Sequence, residues 1–161
     1  MKFLVLLALL GAAAAYTPLT AEEYAYVSGA WNKVKHSEVD ILYAVFKAYP
    51  DIQAKFPKFA GKNLDEIKGT SDFALHATRI VTFISEVVTL SQNTANNDAI
   101  YNKLELFGTD HHNRGVTKDQ LTEFRTALTT YLSKHAPWGD NVAAAWNKAF
   151  DNVFEVAFTK F

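Results

Sequence analysis

The chain has no cysteine in its 161 residues, and its single methionine is Met1. No disulfide can staple the fold, no thiolate can hold a metal, and no Cys-x-x-Cys-His run can attach a haem covalently. Packing alone has to supply the stability. Prolines number four and glycines seven, and most of them sit between rather than inside apolar periodic segments. No stretch alternates with period two for long enough to make a strand. The sequence holds no Gly-x-Ser-x-Gly, no His-Glu-x-x-His and no phosphate-cradling glycine loop, so nothing supports hydrolase or nucleotide chemistry. It lacks an Asn-x-Ser/Thr site as well, so N-glycosylation is not expected.

What is present begins with residues 1–15, MKFLVLLALLGAAAA. One lysine, an apolar run over Phe3–Leu10 and small residues ending in Ala13-x-Ala15 have the form of a secretory signal peptide, with cleavage expected after Ala15. The apolar run is too short to span a bilayer, and no later run of about 18 apolar residues follows, so no membrane association is expected. Residues 16–161 then form a single domain, long enough to bury about 68–70% of the surface its unfolded chain exposes. Without Lys2 that domain carries 15 basic against 17 acidic side chains, a net charge of −2. Nucleic acid, which needs a basic patch, is not an expected partner.

Helical signals run along the rest. Thr20-Ala-Glu-Glu23 and Thr117-Lys-Asp-Gln120 are capping boxes, in which a hydroxyl satisfies a first-turn amide and the acid or amide side chain bonds back. The first opens a helix with Tyr24, Val27, Trp31 and Val34 on one face. Ser37 is placed to cap a second, and Pro50 suits the first turn of a short third, where its missing N–H is not needed. Phe56-Pro-Lys-Phe59-Ala-Gly61 is a turn-rich corner carrying two aromatics, and Asn63–Lys68 is at most one turn of helix. Ser71 is expected to cap a long helix reaching about Leu90. The segment QNTANND reads as a polar loop before a helix over Ala99–His111. Asp140 is expected to cap the last helix, with Trp146, Phe150, Val153, Phe154 and Ala157 inward. The expectation is an all-α domain of seven or eight helices.

Two of these helices carry histidine in an apolar face. Ile100, Leu104, Phe107 and His111 fall on one line at helical spacing, while Tyr101, Glu105, Gly108 and His112 form a neighbouring polar line. Upstream, Phe73, His76, Ile80, Phe83, Ile84 and Val87 repeat the pattern. Two imidazoles aimed inward from two helices suggest a flat, apolar ligand held between them. With no thiolate or thioether left after loss of the leader, histidine is the expected protein ligand should that group contain iron.

The order of marks narrows this further. Phe56 lies twenty residues before His76, Arg79 follows that histidine by one turn, and His111 opens His-His-Asn-Arg-Gly-Val. Together with the phrases ILYAVFKAYPDIQAKFPKFAGK, LDEIKGT, HATRIV and RGVTKDQL, this resembles the globin family over residues 20–161, and within it the secreted haemolymph globins of midge larvae. The resemblance implies the three-over-three globin fold and reversible oxygen transport or storage by a non-covalently held haem b. It further implies a secreted protein of the haemolymph, monomeric or weakly homodimeric. Residue by residue it makes His111 the proximal iron ligand, His76 the distal histidine above bound oxygen and Phe56 the ring stacked on the haem. The two histidines stand farther apart than in most globins, and the excess falls in the polar loop Gln92–Asp98, where insertions cost little.

A porphyrin is a large apolar disc with two carboxylates at one edge, and it needs apolar walls, an imidazole and cations near the rim. Phe56, Phe59, Ile80, Val81, Leu104, Phe107 and Val116 are the candidate walls, and Arg79, with Lys58 and Arg114 beside it, the candidate cations. Each has a plainer reading. Phe59 serves equally as core, Arg79 equally as a surface charge, and His76 could instead ligate iron directly or swing outward. His112 is a rival for the iron, but it lies beside Glu105 and Gly108 rather than Leu104 and Phe107. Zinc at His111-His112 lacks a third ligand. Two other functions compete with transport: a haem enzyme acting on nitric oxide or peroxide, for which this chain has no room for a flavin domain, and a haem-free carrier of apolar molecules. The expectation is a carrier and not an enzyme.

Overall fold

The structure is a computed structural model and describes residues 16–161, so the expected signal peptide lies outside the described residues. Eight α-helices follow one another among these residues: α1 (Ala21–Val34), α2 (Glu38–Ala48), α3 (Pro50–Ala54), α4 (Leu64–Ile67), α5 (Ser71–Leu90), α6 (Asn97–Asn113), α7 (Lys118–His135) and α8 (Asp140–Ala157). Single 3-10 turns sit at Thr94–Asn96, inside the segment read as loop, and at Phe158–Lys160.

The ends of these helices follow local chemistry. Both capping boxes form, with Thr20 accepting from the Glu23 amide and Thr117 from the Gln120 amide while each partner side chain bonds back. Pro50 sits at the start of α3 as its missing donor allows. Three caps differ from expectation by one position or one bond. The α5 cap is Thr70, whose hydroxyl accepts from Phe73 N, so Ser71 is already helical. Gly139 precedes α8, making Asp140 its first residue, where its charge still favours the helix N-terminus. Ser37 does precede α2 but makes no side-chain cap bond. Gly61 and Gly115 take positive φ (71° and 70°), a region that costs glycine little, and each closes a turn beside the site described below.

Three apolar clusters hold the helices together. The largest joins α1, α7 and α8 around Trp31 and Trp146, whose ring centroids are 6.2 Å apart. Trp31 Nε1 donates to Ser85 Oγ of α5 at 2.9 Å, so this indole is buried without stranding its donor. A second cluster, around Phe46, Phe59 and Phe73, packs α2 against α5 and the corner after α3. The third is a satellite of Ile100, Leu104 and Val156 between α6 and α8, with Tyr16 and Phe83 against it. By length and mean hydropathy α5 is the one helix among the described residues that could cross a bilayer. Its inward face explains that composition: Phe73, Ala77 and Val81 are buried in the first two clusters.

Candidate functional site

The site grows from α5 and α6. On α5, three positions beyond Phe73, His76 lies half-buried against the corner that follows α3. Its ring centroid is 4.4 Å from Phe56 and 6.1 Å from Phe59, both edge-on. Phe56 and Phe59 in turn lean on Phe46 at 5.1 and 6.0 Å, so α2 fixes the corner that fixes the histidine. Neither ring nitrogen of His76 has a hydrogen bond to another described residue. Burial, with Arg79, Arg114 and His111 adding smaller unfavourable terms, pushes its pKa down from 6.5 to about 4. The imidazole is therefore neutral near pH 7, keeping one N–H and one lone pair.

His111 on α6 is built differently. Its Nδ1 lies 2.8 Å from the Phe107 carbonyl one turn earlier. A carbonyl only accepts, so Nδ1 carries the proton and Nε2 presents the lone pair. The ring rests on Phe107 at 4.0 Å, and Phe107 stacks on Phe83 of α5 at 4.8 Å. Burial lowers the His111 pKa, and the Phe107 bond only partly offsets that. A neutral ring with a fixed tautomer and a free Nε2 is what a metal at that nitrogen requires.

Other candidate residues lie on α5 and in the turn after α6. Ile80 and Val116 are half-buried, and the Val116 amide donates to the His111 carbonyl at 3.0 Å, closing the turn after α6. Arg79 is exposed and makes no ion pair among the described residues, yet it and Arg114 are the charges that depress His76. Lys58 is already paired with Asp72 at 2.6 Å. One link across the mouth was not legible in the sequence: Lys55 Nζ donates to the Gly115 carbonyl at 2.7 Å, tying the Phe56 corner to the turn after His111. The partners are 60 positions apart, and an exposed lysine carries no signal of whom it will meet.

Two of the candidate walls are deeply buried. Leu104 is fully buried (0% exposed) among Ile100, Val156 and their neighbours, so it backs the site instead of lining it. Phe59, at 3% exposed, is mainly a core ring that touches the site through His76. The polar line beside the His111 stripe, moreover, is partly covered: Tyr101 and His112 stay exposed, while its middle faces the end of α8 and the C-terminal turn. Gly108 is buried against Ala157, Glu105 pairs with Lys160 at 2.6 Å, and the exposed His112 meets Phe161 at 5.5 Å. His112 thus points to the C-terminal turn, away from His76.

A family model described as Globin matches residues 39–157. Over 158 residues the chain is 58% identical to a protein named Globin CTT-V from Chironomus thummi piger, covering 98% of this chain and 97% of that one. It is 59% identical over 157 residues to Globin CTT-VIIB-4 from Chironomus thummi thummi, covering 98% of each. Among solved structures it is similar to a haemoglobin component (TA-VII) from Tokunagayusurika akamusi, with a TM-score of 0.89, 42% identity, and coverage of 91% of this chain and 99% of that one.

Proposed function

The chain belongs to the globin family, and from that premise we propose that it binds oxygen reversibly at a haem b held without covalent attachment, with His111 on the iron and His76 over the bound gas. The observation that carries this reading is the His111–Phe107 bond: it fixes the tautomer of a half-buried imidazole and leaves the lone pair on Nε2 for a metal. Haem iron, when bound, supplies reversible coordination of a diatomic gas. The chain does the rest. Phe56, Ile80, Phe107 and Val116 wall an apolar slot and exclude water, which slows loss of an electron from the iron. Arg79 and Arg114 place positive charge where the two carboxylates at the rim of the disc need it. His76, neutral and without another polar partner, keeps an N–H for the gas. Oxygen is the more polar ligand and gains from that donor, whereas carbon monoxide gains little.

The function is that of a carrier, not an enzyme; the relatives it matches most fully are named as globins. The similarity covers 158 of 161 residues and so runs into residues 1–15, which supports reading them as a leader shared with those relatives. Export to the extracellular fluid, with the mature chain starting at Tyr16, fits the way that terminus is anchored: Asn152 accepts from the Thr17 amide at 2.9 Å and donates to its carbonyl at 2.8 Å. Sequencing the N-terminus of natural material should begin within a few residues of Tyr16. The mature protein is a monomer or weak homodimer, which sedimentation at several concentrations reads directly. The functional reading itself is tested by a visible spectrum of purified protein. A strong haem band that shifts on oxygenation and returns on deoxygenation is expected; a colourless protein that fails to take up added haem would overturn it.

A further inference from the structure

Gly108 stands three residues before His111 on α6, on the face turned to α8. A Cβ placed on it would fall inside the van der Waals envelope of the Ala157 carbonyl oxygen and 2.9 Å from the Ala157 Cα. The obstacle is backbone, which cannot rotate aside as a side chain would. Two further contacts join α6 to the C-terminal residues that follow α8: Glu105, one turn before, is ion-paired to Lys160 at 2.6 Å, and His112, one turn after, meets Phe161 at 5.5 Å. On the side of α6 that faces α5, Phe107 stacks on Phe83 and Lys103 pairs with Glu86. A glycine inside a helix is less stable there than alanine, and at Gly108 the close backbone approach gives a reason for it. Gly29 in α1 has open space around it and offers a matched comparison, since no neighbour would meet its Cβ.

We propose that Gly108 is a positioning residue for the iron ligand: its missing side chain lets α6 seat on the backbone of Ala157, and that seat sets the depth of His111 in the site. The C-terminal residues thereby reach the iron through α6 without touching the haem. This rests on His111 being the ligand.

The test is Gly108→Ala in the haem-loaded protein, read by the iron–histidine stretching band of the unliganded ferrous form in resonance Raman spectra. Alanine pushes α6 off α8, so the band should shift from that of the parent and the oxygen dissociation rate should change by about threefold or more. Gly29→Ala should leave the band in place and raise the melting temperature by about 1–4 °C. Lys160→Met severs the Glu105 pair without inserting an atom, and α6 should relax in the same direction. Its band should shift with the same sign and less far, which keeps the test open if Gly108→Ala does not fold. A parent band unmoved in every folded α6-interface variant overturns the proposal. An iron–histidine band that survives in His111→Gly would instead sink the assignment of His111 on which it stands.

Discussion

His76 and His111 each stand in an apolar stripe of their helix, near the start of α5 and near the end of α6, and burial depresses the pKa of both. They differ in how they are held. His111 is oriented by a hydrogen bond to its own helix and backed by a stacked pair of phenylalanines. His76 has only ring edges against it, from a corner that belongs to another part of the chain. A hydrogen-bonded ring has its tautomer and direction chosen before any ligand arrives; an edge-packed ring retains freedom to turn and to choose which nitrogen donates. The first arrangement suits a permanent bond, and the second suits a partner that must admit a gas, hold it and release it.

The comparison breaks most visibly at the permanent bond. His111→Gly should lose stable haem, with binding restored by free imidazole, whereas His112→Gly should retain it, because His112 faces Phe161. Haem titration followed by gel filtration distinguishes them. Next in size is the gas partner. A net hydrogen bond to a partly charged acceptor is worth somewhat over 1 kcal/mol, so His76→Leu should speed oxygen dissociation about tenfold. Carbon monoxide affinity should hold or rise. An oxygen off-rate within about twofold of the parent, under 0.5 kcal/mol, would mean that the imidazole points elsewhere.

Acid sharpens the contrast in the haem-free protein. With His76 held near 4 when folded against 6.5 ordinarily, the unfolded chain binds a proton between those values that the folded chain does not. Stability should therefore fall as pH drops from about 6.5 toward 4. Denaturant titrations across that range should show the slope flattened in His76→Leu. The smallest effect expected is at the rim. Exposed ion pairs are worth 0–1 kcal/mol, so Arg79→Leu should raise the haem-loss rate by no more than about fivefold, and less at high salt.

Much of this was legible in the sequence because it depends on neighbours along the chain. The capping boxes and Pro50 at the start of α3 follow from chemistry within one turn of chain. Caps were displaced where two candidates adjoin: Thr70 and Ser71 both offer a hydroxyl, and only the entry angle of the backbone decides. The illegible features join residues far apart. Periodicity marked Glu105, Gly108 and His112 as polar without revealing that the C-terminal turn covers them. Leu104 was on the correct stripe but too deep in it, since the end of a stripe near a site and its buried start look alike in one dimension.

The central claim is the asymmetry of the two histidines, and the coordination state of the unliganded ferrous protein tests it most directly. Absorption and resonance Raman spectra should show a five-coordinate, high-spin iron with one iron–histidine band, His76 standing free. A six-coordinate, low-spin spectrum that becomes five-coordinate in His76→Leu would contradict it, because both imidazoles would then be permanent ligands.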